Sequence, residues 1–484
     1  THNARRNRFL NPGNGFVSRL CHEFRVGVAV IDQMLASARS TGLLETRFKR
    51  KALSVQTEGD RVVAVTLNNS ELGIQEIIEA GYVLDATELG DLLPMAGVEY
   101  VSGFESQAET GEPSAPTGPA QPDNVQAFSW VFAMGYDPEY EHVIQKPSQY
   151  DRWKNYVPET NPPWPFPLFS WDRPIHSGTS SFGPYATRSS KIEVEKRSLF
   201  DDETDEPQQS WFNWRRITYP GHFDDPRYQR QIASVIWTQN DYMGGNIIDK
   251  PEDTVNRYLE ESRQQSLSFL YWMQTEAPKP DGGVGYPGLY LVPEVVGTED
   301  GLAKAPYIRE ARRIKADFTV TENHIGADAR GKTRAEEFKD TIGVGLYHID
   351  LHYSTGGDHA IHLECLPFQI PLGALIPVRM QNLLPAGKNI GVTHLTNGAF
   401  RLHPVEWNVG EASGLLAAFC MQKNLTPKAI RENSNLLHDF QTLCLDQGFE
   451  LDWPEIGAES GWAAFDKRTL GYMPEGSIPR TERK

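Results

Sequence analysis

Proton-handling chemistry is most concentrated in "YHIDLHYSTGGDH", Tyr347–His359. Alternation along a strand puts His348, Asp350 and His352 on one face. An imidazole beside a carboxylate can take up a proton near neutral pH. His352, with Asp350 as its partner, is therefore the expected proton acceptor. The same H-x-D-x-H spacing suits metal ligation, but no cysteine accompanies it, and no metal is expected. The plainer reading is a set of polar residues at a domain junction.

A second reactive stretch is "PYIREARRIKADFTV", Pro306–Val320, with Arg309, Arg312, Arg313 and Lys315 crowded around Glu310. A guanidinium can clamp a carboxylate with two parallel hydrogen bonds. Arg309 is expected to orient a substrate in this way, although a solvated charged helix face, or an internal Arg–Glu pair holding two domains together, fits the pattern as well. "THLTNGAFRLHP", Thr393–Pro404, adds His394, Asn397, Arg401 and His403 immediately before a helix.

Beside these side chains a ligand is needed, and the segment Asn382–Phe419 aims a helix N-terminus at something anionic or electron-rich. A strand runs into turns at Gly387 and Gly391, and a short polar passage leads to an amphipathic helix begun by Pro404. Val409, Ala412, Leu416 and Phe419 give that helix one apolar face. The unpaired N–H groups of its first turn favour negative charge. Upstream, "DATELGD", Asp85–Asp91, ends a strand at the small residues Ala86 and Thr87, with Gly90 following.

The order R-x-x-P, five residues, then G-E-A-S-G is present as Arg401, Pro404, Gly410, Glu411, Ala412, Ser413 and Gly414. It resembles the C-terminal flavin-binding segment of the FAD-dependent oxidoreductase family with a glutathione-reductase-type fold. The "ATELGD" turn resembles the family's "ATG"-like turn over the cofactor's phosphates and adenosine, and the R-E-A-R-R run resembles one near the flavin face. The resemblance implies that FAD is the cofactor, with Ala86, Thr87, Gly90, Gly387, Gly391, Pro404, Gly410, Glu411 and Ala412 beside it. It implies an α/β chain: a three-layer Rossmann-like FAD domain, interrupted by an inserted mixed α+β substrate domain. The implied activity is two-electron transfer from a small organic substrate to FAD.

The elements that must position these groups follow that order only in part. A helix is expected from Arg25, stopping at Gly42. "LLETRF" reads as a strand, "KALSVQTEGDRVVAVTL" as a hairpin turning at its "EGD" centre, and a further strand ends in "GYVLDATELGDLL". No strand followed by G-x-G-x-x-G and a helix comes before Arg25, so the first βαβ unit of the dinucleotide fold is missing. The expectation is a fragment cut upstream of that fingerprint, binding FAD poorly as it stands. Farther on, "PEDTVNRYLEESRQQSLSFLYWMQTEA" from Pro251 reads as a helix. "APYIREARRIKADFTVTENHIG" reads as a helix or turn leading into a strand, Ile342–Tyr353 as one strand, and "PKAIRENSNLLHDFQTLCLDQG" as one helix. The expected divisions are 1–100 and 381–425 for FAD, 101–380 for a substrate or cap domain, and 426–484 for a C-terminal helix and tail.

Residues 103–235 differ in character, with "NPPWPFPLFSW" setting aromatics between prolines and an acidic loop at Asp201–Gln209. Trp153, Trp164, Trp171, Trp211 and Trp214 pack a core under long loops or present a stacking surface for sugars. The second use would make the chain a non-catalytic carbohydrate-binding protein; an inactive flavoprotein remnant is the other alternative.

Bulk properties narrow the classes. A chain of 484 residues exceeds one compact core. Net charge is −17 with no basic stripe, which argues against nucleic acid and anionic membranes as partners. No apolar run approaches the ~20 residues of a membrane span. The four cysteines lack a CxxC pair and suit a reducing compartment, read here as cytoplasmic. The expected partner is a small-molecule substrate.

Overall fold

The computed structural model describes residues 11–18, 20–176, 192–200, 210–331 and 334–453. The acidic loop 201–209 and the end of the C-terminal tail lie outside the described residues. The chain is mixed α/β, and its sheets are small and mostly antiparallel.

The first elements follow the sequence pattern. Helix α1 spans Phe24–Ser40, and Gly42 beyond it takes φ +73°. A three-stranded meander follows: β1 (Arg50–Glu58), β2 (Arg61–Asn69) and β3 (Ile74–Glu79). Gly59, at φ +58°, makes the β1–β2 turn that the "EGD" motif predicts. The run Leu43–Phe48 forms no strand; both end residues are exposed, and no partner strand covers them. Strand β4 (Val83–Asp85) then leads into the "ATELGD" turn.

The aromatic-rich centre is built on an antiparallel sheet of β5 (Phe132–Tyr136), β6 (Arg216–Thr218), β7 (Ile232–Val235) and β8 (Leu289–Leu291), ordered β6–β7–β5–β8. Helix α2, Glu252–Thr275, begins after Pro251 as its sequence requires. Its buried Phe269, Trp272 and Met273 join a core holding Trp153, Trp164, Trp171 and Trp211, with Trp214 partly buried against it. These rings are interior packing. The stacking surface on which a carbohydrate-binding reading depends is not present among them.

The remainder packs around the C-terminal helices. The run 342–353 is broken in two: β9 (Thr341–Gly345) and β10 (Ile349–Leu351). Strand β10 pairs with β11 (Ile361–Leu363), while β9 pairs with β12 (Phe368–Pro371). The two strands therefore serve different ladders, and alternation cannot be carried across the break. Strand β13, Leu383–Pro385, lies parallel to β4, pairing Leu384 with Leu84. The passage Thr393–Pro404 contains helix α3 (His394–Phe400), capped by the Thr393 side chain on Thr396 N. Helix α4 spans His403–Lys423, and its Val409, Ala412, Leu416 and Phe419 are buried. The last expected helix is two: α5 (Pro427–Glu432) and α6 (Ser434–Asp446), divided at Asn433, whose side chain caps α6.

The segment Pro306–Val320 departs most from expectation. It is extended, with Arg313–Ile314 paired to Tyr100–Val101 and single bridges from Tyr307 to Ser129, Ala316 to Pro377 and Val320 to Val392. Its arginines are drawn to different parts of the chain, which a helix could not allow. Arg312 binds Asp249 and the Leu89 carbonyl, and Arg313 binds Glu105, Glu310 and the Gly103 and Val392 carbonyls.

Candidate active site

The frame of the site is where β4, β13 and α4 meet. Asp85 is buried at the end of β4. Its carboxylate accepts hydrogen bonds from Thr87 N and Oγ1 (2.9 and 2.7 Å) and from Leu92 N (3.2 Å). Burial raises its pKa, while the Thr87 hydrogen bonds act the other way. The turn is thus held by its own first residue, with Gly90 at φ +66° packed against the Arg312 carbonyl. Asn389 donates to the Asp85 carbonyl (3.0 Å), Ser413 to the Pro385 carbonyl (2.6 Å), and Lys388 to Glu88 (2.6 Å). A Cβ at Gly410 would meet the Ala386 carbonyl at 3.4 Å, an ordinary contact, which places this part of α4 against the β13 turn.

The sequence-selected cofactor residues separate into those on this frame's surface and those packed in protein. Ala86 and Pro404 are exposed, Thr87, Gly387 and Gly410 are half-buried, and Gly90 is buried. Gly391 is buried for another reason: a Cβ there would lie 2.4 Å from the Ala316 Cβ. Ala412 is in the core, and Glu411 is exposed.

Helix α4 begins without a side-chain cap, after Leu402, and its first residues His403 and Pro404 are exposed. Val405 N and Glu406 N donate to the Leu402 carbonyl and Pro404 has no N–H, so this end offers an electron-rich group the helix dipole and His403 N. Arg401 lies just before α4 in the chain and Asn389 in the turn after β13, and Arg401 Nε and Asn389 Oδ1 are buried without a hydrogen-bond partner among the described residues. Unsatisfied polar atoms beside an open helix start suit the polar edge of a flavin. Among the described residues, no glycine-rich turn opens a helix in the manner of a diphosphate-binding loop.

Arg401 also ties this end of the frame to the histidines, because its guanidinium donates to the Asp350 carbonyl at 2.8 Å. His403 is 6.5 Å ring to ring from Tyr307, and the Arg309 guanidinium lies over the same Tyr307 ring at 5.2 Å.

His352 does not take Asp350 as its partner. Its Nδ1 is 2.7 Å from Asp241 Oδ2. Asp241 is fully buried, and its other oxygen accepts from Ser129 Oγ and faces Arg309 at 3.0 Å. Ser129 and Asp241 are cross-strand neighbours on a short antiparallel ladder. Burial works to raise the Asp241 pKa; Arg309 and His352 outweigh it and hold the carboxyl below its usual range. With the carboxylate charged, Nδ1 carries the hydrogen and Nε2 is left as the basic atom. The His352 side chain is 24% exposed, whereas Asp241 is sealed, so the pair has one accessible end.

Arg309 is not a free clamp for substrate. Its side chain is 1% exposed and bonds to Asp241, the Ala127 carbonyl (2.7 Å) and Ser129 Oγ (3.0 Å). It stabilises the Asp241 charge. Asp350 joins a different set: its Oδ1 is 3.1 Å from His362 Nδ1 and 4.0 Å from His348 Nε2, and its Oδ2 is 3.7 Å from Arg401. Burial pushes His348 down to about 3. His394 stacks on Phe104 and bonds Glu310 at 2.9 Å, and Asn397 donates to the Arg309 carbonyl at 2.9 Å.

Sequence reading missed Asp241, Ser129 and His362. The available signal for Asp241 was a lone acid within an otherwise uncharged, aromatic run, Trp237–Met243. Nothing local singles out the other two.

A family model described as FAD dependent oxidoreductase matches residues 2–443. No curated protein and no solved structure matches the chain. The match spans the frame, the Arg309–Asp241–His352 group and α4 alike, and on that ground the chain belongs to the FAD-dependent oxidoreductase family, with FAD as its cofactor.

Proposed function

We propose that the chain oxidises a small organic molecule by two electrons, with His352 taking up the proton the substrate releases. The observation that carries this reading is the His352–Asp241 pair at 2.7 Å, backed by buried Arg309 and exposed only at the imidazole. Bound FAD supplies an electron-accepting ring. The open start of α4, with Arg401 beside it, would hold the ring's polar edge and favour negative charge there. Ala86, Thr87, Gly387 and Gly410 would line the rest of the binding surface. His352 Nε2 accepts a proton from a substrate O–H or N–H, and Asp241 fixes the ring's tautomer and stabilises the imidazolium. Arg309 and Ser129 position Asp241. A Rossmann-like three-layer arrangement over 1–100 and 381–425, with the substrate side over 101–380 and a tail over 426–484, is the organisation this reading assumes.

The test is anaerobic flavin bleaching on FAD-loaded protein, screened over sugars, amino acids and small acids. With any substrate that reduces the flavin, His352→Gln should slow reduction by about 10²–10⁴-fold. Unchanged reduction by that variant would remove His352 from the reaction.

A further inference from the structure

The reading above leaves His348, Asp350 and His362 without a task. Asp350 and His362 are direct cross-strand partners on β10 and β11, and His348 immediately precedes β10. One ligand atom from each lies within 4.8 Å of the other two. The H-x-D-x-H spacing that reads as metal-like in the sequence is therefore completed by His362 in place of His352.

We propose that His348, Asp350 and His362 form a site for a divalent first-row transition ion, zinc(II) or iron(II) in class, held by two imidazole nitrogens and one carboxylate oxygen. Bonds of about 2.1 Å in a tetrahedral arrangement put ligand atoms about 3.4 Å apart. The separations from Asp350 Oδ1, 3.1 Å to His362 and 4.0 Å to His348, straddle that value. Small side-chain rotations would close the set around an ion. The backbone is already fixed by the β10–β11 ladder and by Gly398 of α3, where a Cβ would approach Asp350 N to 2.8 Å. Arg401, 3.7 Å from Asp350 Oδ2, engages the oxygen directed away from the imidazoles and orients the carboxylate. His348 is buried, while Asp350 and His362 are 18% and 30% exposed. Three protein ligands with one partly open side leave a position for water or an oxygen atom of a small molecule. Two nitrogens and one oxygen suit a transition ion better than calcium or magnesium, which prefer oxygen alone.

The test is titration of the metal-stripped full chain with cobalt(II), read by visible d–d absorption, and with zinc(II), read by calorimetry. Both are run with and without added FAD, so the result stands apart from any redox activity. One equivalent should bind with tetrahedral or five-coordinate cobalt bands. His362→Ala should weaken binding on the order of a hundredfold, Asp350→Asn likewise, and the surface variant His438→Ala should leave it unchanged. His362→Ala needs no buried charge to be removed, so it serves if Asp350→Asn does not fold. Absence of cobalt bands in the wild type, or one-equivalent binding that survives His362→Ala, would overturn the proposal.

Discussion

Asp241→Asn is the substitution with the largest calculable consequence. Asp241 is fully buried, and its carboxylate faces the Arg309 guanidinium at 3.0 Å, with that side chain 1% exposed. At an effective dielectric near 20, two unit charges at this distance attract by about 5 kcal/mol. Asparagine keeps the shape and loses the charge, so Arg309 is left as a buried cation with only the Ala127 carbonyl and Ser129 as acceptors. Breaking one side of such a pair costs about 3–5 kcal/mol. Arg309→Met should cost a similar amount, because the buried Asp241 charge then keeps only His352 and Ser129 beside it. The double variant buries no uncompensated charge, and its cost should fall below the sum of the singles by about 2–3 kcal/mol. Urea unfolding of the four proteins, extrapolated linearly, measures this coupling. Additivity within about 0.5 kcal/mol would show that the two charges do not stabilise one another, and the role given to Arg309 would fail.

Other expectations are more local. Glu112 is buried, accepts from Glu322 N and Thr393 Oγ1 (both 2.7 Å), and is pushed up to about 7 by burial. Its folded pKa lies above the unfolded value, so its proton favours the native state. Its own contribution to stability should be fully present below about pH 4.5 and be lost as pH rises through about 7, by about 3 kcal/mol in total. Glu112→Gln should remove that component, seen as a pH-dependent difference between urea midpoints; parallel curves would contradict it. Gly391→Ala should destabilise by about 1–3 kcal/mol through its contacts with Ala316 and Phe318. Gly414→Ala, on α4 with nothing within 4 Å of its Cβ, should stabilise the FAD-free chain by about 0.5–1 kcal/mol. Thermal or urea unfolding separates the two, and equal effects would refute the packing assigned to Gly391.

The sequence is legible where local rules act alone. Pro251, Gly42 and the Gly59 turn set the bounds of α2, α1 and the β1–β2 hairpin, and the R-x-x-P order places the start of α4 near His403. Reading fails where distant segments decide. Arg309, Arg312 and Arg313 look like one charged helix face, but Asp241, Asp249 and Glu105 each draw one away, and the backbone extends to let them. His352 and Asp350 look like a pair because alternation puts them together. The change of partner between β9 and β10 breaks the regular strand, and a long-range contact supplies Asp241 instead. Ser129 meets Asp241 across 112 residues, a proximity no spacing rule encodes. The tryptophans of the centre were visible as a cluster, but only packing around Phe269 and Trp272 shows that they face inward.

The most direct test of the account is a structure determined with FAD bound. The isoalloxazine ring should lie against the backbone at His403–Val405, with its polar edge toward Arg401 and His352 Nε2 on the side open to substrate. A ring bound elsewhere, or a first turn of α4 covered by protein side chains while FAD is held, would contradict it.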